Sequence, residues 1–223
     1  MRTQNICGVE HVSGLGIIGY LEERLDAAAR TFVAAGYEML SARDLAVSRR
    51  AKRSFGMVGE TTHIRDAIIF CPRGPPVLVK DSPLLANLAA AASAHDRSEE
   101  FYLTVIEIAA VQAMLAEDAG KTVVQRRAME VGTTDREAHV VTGAFADHAL
   151  TQFLFEDQAR SYGEYLWREH RIPAMSFHFH RPYGSDADRT FACQAVMMHR
   201  ADLTTYRHSM IRSQLVWAKQ REL

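Results

Sequence analysis

Apolar residues recur at three- and four-residue spacing in several segments, and this period predicts helices. Leu21, Leu25, Ala28, Ala29, Phe32 and Val33 mark one over 21–35, closed by Ala35-Gly36, where glycine suits a left-handed helix end. Ser82-Pro83 opens a second through 84–94, with proline in its first turn. Three more are predicted over 111–118, 157–169 and 206–219. Between them lie stretches of strand character. One group covers 6–12, 38–42, 67–70 and 77–79, and a second covers 101–108, 122–125, 138–142 and 152–155. Residues 175–180 and 191–198 predict a hairpin around the turn-rich 182–186.

The two groups share an order of strand, helix, helix-ending Ala-Gly and three strands. The first opens on Val9-Glu10-His11-Val12 and ends its helix at Ala35-Gly36; the second opens on Glu100-Phe101-Tyr102-Leu103 and ends its helix at Ala119-Gly120. That is the signature of an internal duplication. It predicts an α+β fold of two βαβββ modules, residues 1–81 and 99–157, joined by a linker helix over 82–98. A C-terminal helix-hairpin-helix extension over 158–223 would pack against them or form a homodimer contact.

A repeated strand-helix-three-strand module resembles the vicinal oxygen chelate superfamily of glyoxalases, extradiol dioxygenases and bleomycin-resistance proteins. Three runs carry the resemblance: Gly8-Val9-Glu10-His11-Val12; Leu25 to Phe32 with Ala35-Gly36-Tyr37-Glu38; and Leu154-Phe155-Glu156-Asp157. It implies a cup-shaped mixed sheet around a divalent metal (Fe, Zn, Mn or Ni), with ligands from the first and last strands of each module. Those places fall on His11, Lys80, Tyr102 and Glu156. His11 and Glu156 suit a divalent ion. Lys80 is a cation, and Tyr102 would ligate only as a phenolate, from an unperturbed pKa of about 10. The same cup without metal would be a ligand-binding or drug-sequestering protein in which Lys80 and Tyr102 contact the ligand.

As a catalytic pair, His11 offers a neutral nitrogen, and Glu156 an oxygen that also serves as a base. The metal would stabilise an oxyanionic intermediate. The expected activity is a small-molecule lyase or dioxygenase of glyoxalase type. Ser176, His178 and His180 alternate with Met175, Phe177 and Phe179. A strand's period of two places both histidines on one face, where they can join His11 and Glu156 on a metal. A half-buried strand shows the same alternation. Gly14-Leu15-Gly16-Ile17-Ile18-Gly19 matches GxGxxG before a predicted helix, which raises an NAD(P)-dependent oxidoreductase as an alternative, although no clean strand-helix-strand alternation follows it until Ser82. The basic run over 43–53 reads as a solvated loop, and Asp186 and Asp188 as turn residues. An assembly protein without a site is the plainest reading.

Composition narrows these readings. The chain has 223 residues, 48% hydrophobic and 24% charged, which suits a folded domain and excludes a disordered or fibrous chain. Lys+Arg 26 against Asp+Glu 27 leaves a net charge of −1, so no global field points to nucleic acid or an anionic membrane. The partner expected is a small molecule. Cys7, Cys71 and Cys193 are an odd, widely spaced set that reads as free thiols in a reducing compartment. No apolar leader or membrane-spanning stretch is apparent, which predicts a cytoplasmic protein.

Overall fold

A computed structural model describes residues 6–51, 61–132, 137–182, 190–199, 201–205 and 214–221. In chain order the elements are β1 (Cys7–Val12), β2 (Gly16–Glu23), α1 (Leu25–Ala34), β3 (Tyr37–Met39), α2 (Ala42–Ala51), β4 (Thr62–Phe70), β5 (Val77–Val79), α3 (Pro83–Ala86), α4 (Leu88–Asp96) and α5 (Val105–Asp118). There follow β6 (Ala128–Glu130), β7 (Glu137–Val141), α6 (Ala149–Phe155), α7 (Ala159–His170), β8 (Ala174–His178), β9 (Ala192–Met198), β10 (Asp202–Thr205) and β11 (Gln214–Gln220). Short 3-10 turns occupy Val123–Gln125, Thr142–Ala144 and Glu156–Gln158.

All these strands join one mixed sheet in the order β1-β2-β11-β4-β9-β10-β8-β7, with β3 also on β11 and β5 bridging β4 and β6. Helices cover both faces. On one face Ile18, Ile64, Ile68, Leu78, Val196, Met198 and Trp217 meet Leu45 of α2, Phe153 and Leu154 of α6, and Tyr162 and Leu166 of α7. On the other, Leu21, Ala67, Ile69, Val77, Val79, Ala195, Val216 and Ala218 meet Leu25, Ala28 and Phe32 of α1, Ala91 of α4 and Val111 of α5. Central strands are therefore apolar on both sides. Every residue of β9 is buried, as expected of a strand covered on both faces.

The fold is α+β with a large mixed sheet, but the two-module arrangement is corrected. Residues 152–155, expected as a closing strand, lie in α6, where Leu150, Phe153 and Leu154 sit one turn apart and are buried. A short apolar run does not distinguish strand from helix by period alone. Residues 105–108, expected in a strand, start α5, because Thr104 and Glu107 form a reciprocal capping box there. Residues 122–125 form a 3-10 turn. The expected hairpin of 175–180 with 191–198 is split by β10, which runs antiparallel to β9 and parallel to β8. The predicted terminal helix is β11 over its described part, residues 214–219, while Asp186 and Asp188 fall outside the described residues. Gly14, in the turn joining β1 to β2, and Gly16, which opens β2, adopt φ of 84° and 80°, and Gly19 lies within β2. The GxGxxG run is thus a β-hairpin, and the nucleotide reading falls with it.

The first turn of α2 is held by two carboxylates. Asp44 and Ser41 exchange hydrogen bonds: the Asp44 N–H donates to Ser41 Oγ at 3.1 Å, and the Ser41 N–H to Asp44 Oδ2 at 3.2 Å. From β4, Asp66 Oδ2 accepts the Ala42 N–H at 2.7 Å. Burial, helped by the nearby Asp44 charge, pushes the Asp66 carboxyl from 3.8 up to about 7, against the bond from Ala42 and the charge of Arg65. With the folded pKa above the unfolded one, the folded state binds the extra proton between these values. Asp66 therefore contributes stability that is complete below about pH 4 and is lost as pH rises through 7. Asp66→Asn keeps an acceptor for Ala42 and abolishes this term. Its stability relative to wild type should rise between pH 4 and pH 7 and level off above, as followed by urea midpoints at each pH.

Candidate functional site

A concavity of about 500 Å³ lies between α7 and the 3-10 turn that ends β7. Thr142 anchors that turn. Its N–H donates to the Pro173 carbonyl at 2.9 Å, and its Oγ1 to the same oxygen at 3.2 Å. Helix α7 approaches closely because residue 163 is glycine: a Cβ there would stand 2.3 Å from the Thr142 carbonyl oxygen and 3.1 Å from Phe145. Behind the contact, Phe145 stacks on Phe155 at 5.8 Å, Phe155 meets Tyr162 at 4.9 Å, and Tyr162 stacks on Tyr165 at 6.0 Å. The fully buried Arg49 of α2 donates to Tyr162 Oη at 3.1 Å and to the His199 carbonyl at 3.0 Å. The helix is thus pinned from its buried side.

Helical spacing then presents Arg160, Gly163, Glu164, Trp167 and Arg168 along one wall, with Val141, Gly143 and Asp147 opposite. Trp167 is 49% exposed, whereas the chain's other tryptophan, Trp217, is 6% exposed. Arg168 pairs with Glu164 at 3.6 Å. The Arg160 guanidinium and the Asp147 carboxylate have no side-chain partner among the described residues. The groove thus joins an aromatic face to uncommitted hydrogen-bonding groups, a combination typical of small-molecule sites.

Of the residues singled out by sequence, the structure brings together Lys80 and Glu156. Lys80 Nζ lies 2.8 Å from Glu156 Oε1 and donates to the Val124 carbonyl at 2.8 Å, over the Phe153 ring. Glu156 has φ 52°, a left-handed conformation that costs a non-glycine residue about 1–3 kcal/mol and is stabilised here by Lys80 and by Arg43 at 3.6 Å. The pair ends a chain of alternating charges that runs Asp81, Arg65, Glu38, Lys219, Asp44, Arg43, Glu156 and Lys80. Arg43 also clamps Asp157, whose carboxyl is held low by the Arg43 hydrogen bond against the effect of burial.

The remaining candidates are apart. His11 is exposed on β1 at one end of the sheet. His178 is on β8, six strand spacings away, or about 29 Å along the sheet at ~4.8 Å per strand. Tyr102 forms an isolated bridge to Ala192, and the exposed His180 donates its backbone N–H to Thr205 Oγ1 at 3.0 Å. His178 instead meets His139 edge-on at 6.0 Å, and His139 Nδ1 lies 2.9 Å from Ser176 Oγ. No group of three or more His, Cys, Asp or Glu that could hold a metal ion exists among the described residues.

No protein family matches the chain, and no curated protein does. A solved structure does: a protein of Nanoarchaeota, described as accommodating massive sequence variation by the C-type lectin fold. The TM-score is 0.58 at 12% identity, over 92% of this chain and 96% of that one. The shared feature is the C-type lectin fold. The vicinal oxygen chelate resemblance is thereby overturned, and with it the metal-dependent glyoxalase, lyase or dioxygenase. The physical reason is that His11 and Glu156 belong to no common cup: one stands on a terminal strand, the other in a helix-to-helix turn.

Trp167 and its surroundings were missed in the sequence. One signal was available, a lone glycine inside a helical pattern, which marks close packing. Gly163→Ala supplies the test. In an open helix this change stabilises by about 1 kcal/mol. Here the new methyl meets a backbone carbonyl, so overpacking should reverse the sign and destabilise by ~1–3 kcal/mol, read as a lowered thermal midpoint.

Proposed function

We propose that this chain is a binding protein that holds a saccharide-like polyol in the groove against Trp167. The observation that carries the reading is the half-exposed indole lining the concavity between α7 and the Thr142 turn. A sugar ring has an apolar C–H face that suits an indole, and paired hydroxyls that suit the planar Asp147, Glu164, Arg160 and Arg168 side chains. The C-type lectin fold of the Nanoarchaeota protein supports a recognition role by analogy of fold. Cys7, Cys71 and Cys193 are all free, which suits a reducing compartment such as the cytoplasm, and burial pushes the Cys193 thiol up to about 12, leaving it unreactive. No helix among the described residues is long and apolar enough to cross a membrane.

The test is a glycan array probed with labelled wild-type protein beside Trp167→Ala, an exposed position whose change should leave the thermal midpoint within about 1 °C of wild type. Binding that is saturable and falls at least about tenfold in the variant supports the reading, since truncating a central aromatic anchor typically costs ~2 kcal/mol or more. Signals that are absent, or equal in the two proteins, contradict it. Acrylamide quenching gives a second readout. Trp167 should carry nearly all the quenchable fluorescence, and a bound sugar should shield it.

A further inference from the structure

A second concavity, about 300 Å³, lies among the helices that cover the other face of the sheet. Its walls are apolar. Phe32 and Tyr37 stand 6.3 Å apart in a tilted pair, with Val33, Leu85 and Leu88 beside them. The charges at its rim are unequal in their commitments. Arg65 lies between Glu38 at 3.3 Å and Asp81 at 3.2 Å, so both rim carboxylates are paired. Arg221 also lines the mouth. Its backbone N–H is fixed to the Gly36 carbonyl at 2.9 Å, while its guanidinium has no hydrogen-bond or ion-pair partner among the described residues. Among the described residues, this leaves an apolar pocket with one uncommitted cation at its edge.

We propose that this cavity binds a small amphipathic anion, an aliphatic or aryl carboxylate whose body fills the pocket and whose carboxylate meets Arg221. The guanidinium fork matches a carboxylate in two parallel bonds. The volume sets the size: at ~30 Å³ for each water displaced, it holds about ten non-hydrogen atoms, the bulk of an eight- to ten-carbon acid. The site does not depend on the Trp167 groove and is built from different elements.

Calorimetric titration with sodium octanoate tests it, using the wild type, Arg221→Gln, Ala86→Trp and Trp167→Ala. Arg221 and Ala86 are exposed, so neither change removes core packing; Ala86 lines the pocket, and an indole there would plug it. The wild type should bind one equivalent saturably. Arg221→Gln should weaken binding about tenfold or more, as should replacing octanoate with neutral octanol, because each removes a charge-assisted contact. Ala86→Trp should abolish binding, and Trp167→Ala should leave it unchanged. No saturable binding to the wild type, binding that survives Ala86→Trp, equal affinity for octanol, or loss in Trp167→Ala would each overturn the proposal.

Discussion

Strand β11 pairs antiparallel with β2 along one edge, and on its other edge with β4 in parallel and β3 antiparallel. This double pairing joins the N-terminal hairpin to the rest of the sheet. Trp217 stands opposite Tyr20 with ring centroids 4.8 Å apart, its carbonyl takes the Leu40 N–H at 3.0 Å, and Lys219 reaches Glu38 and Asp44. Val216 and Ala218 face one core and Trp217 the other. A single strand therefore sets the position of α1 on one face and α2 on the other. A register slip of one residue would exchange the two core faces.

From that frame the groove follows by packing. Helix α2 lies against β4 through the Ala42 N–H bond to Asp66, and its Arg49 reaches across to Tyr162. Tyr162 orients α7 so that Gly163 meets the Thr142 turn and Trp167 faces outward. The wall bearing Trp167 is a helix held by aromatic stacking, and the opposite wall is a turn held by Pro173. Rigid elements of this kind keep a site in shape without a ligand. The ion-pair chain from Asp81 to Lys80 ties α2 and the 3-10 turn after α6 to β3, β4, β11 and the segment that follows β5. Its role is one of joining elements, and Lys80 and Glu156, singled out by the family resemblance, stand at its end.

Much of the element pattern was legible, and the arrangement was not. Residues 77–79 form β5 as their apolar run indicates, and β8 alternates buried Met175 and Phe177 with half-buried Ser176 and His178. These are local properties of the chain. The arrangement rests on contacts between distant residues, such as β11 beside β4, which leave no mark on periodicity. The apparent duplication arose because Phe153-Leu154-Phe155 and Phe101-Tyr102-Leu103 are apolar triplets that fit a strand, while only tertiary contacts place the first in α6. Candidate ligands drawn from that alignment were dispersed accordingly. Of the proposed groove, Gly163 and Trp167 share a helical spacing of four, which gives their common face but not what lies opposite.

The central claim is that saccharide recognition takes place on the surface between α7 and the Thr142 turn. The most direct measurement is chemical-shift mapping of the isotope-labelled protein during titration with a mixture of monosaccharides. The account predicts that shifts concentrate on the Gly143, Asp147, Glu164 and Gly163 amides and the Trp167 indole N–H, with β1 and β2 silent. Shifts centred on another surface, with the Trp167 indole unmoved at saturation, would contradict it.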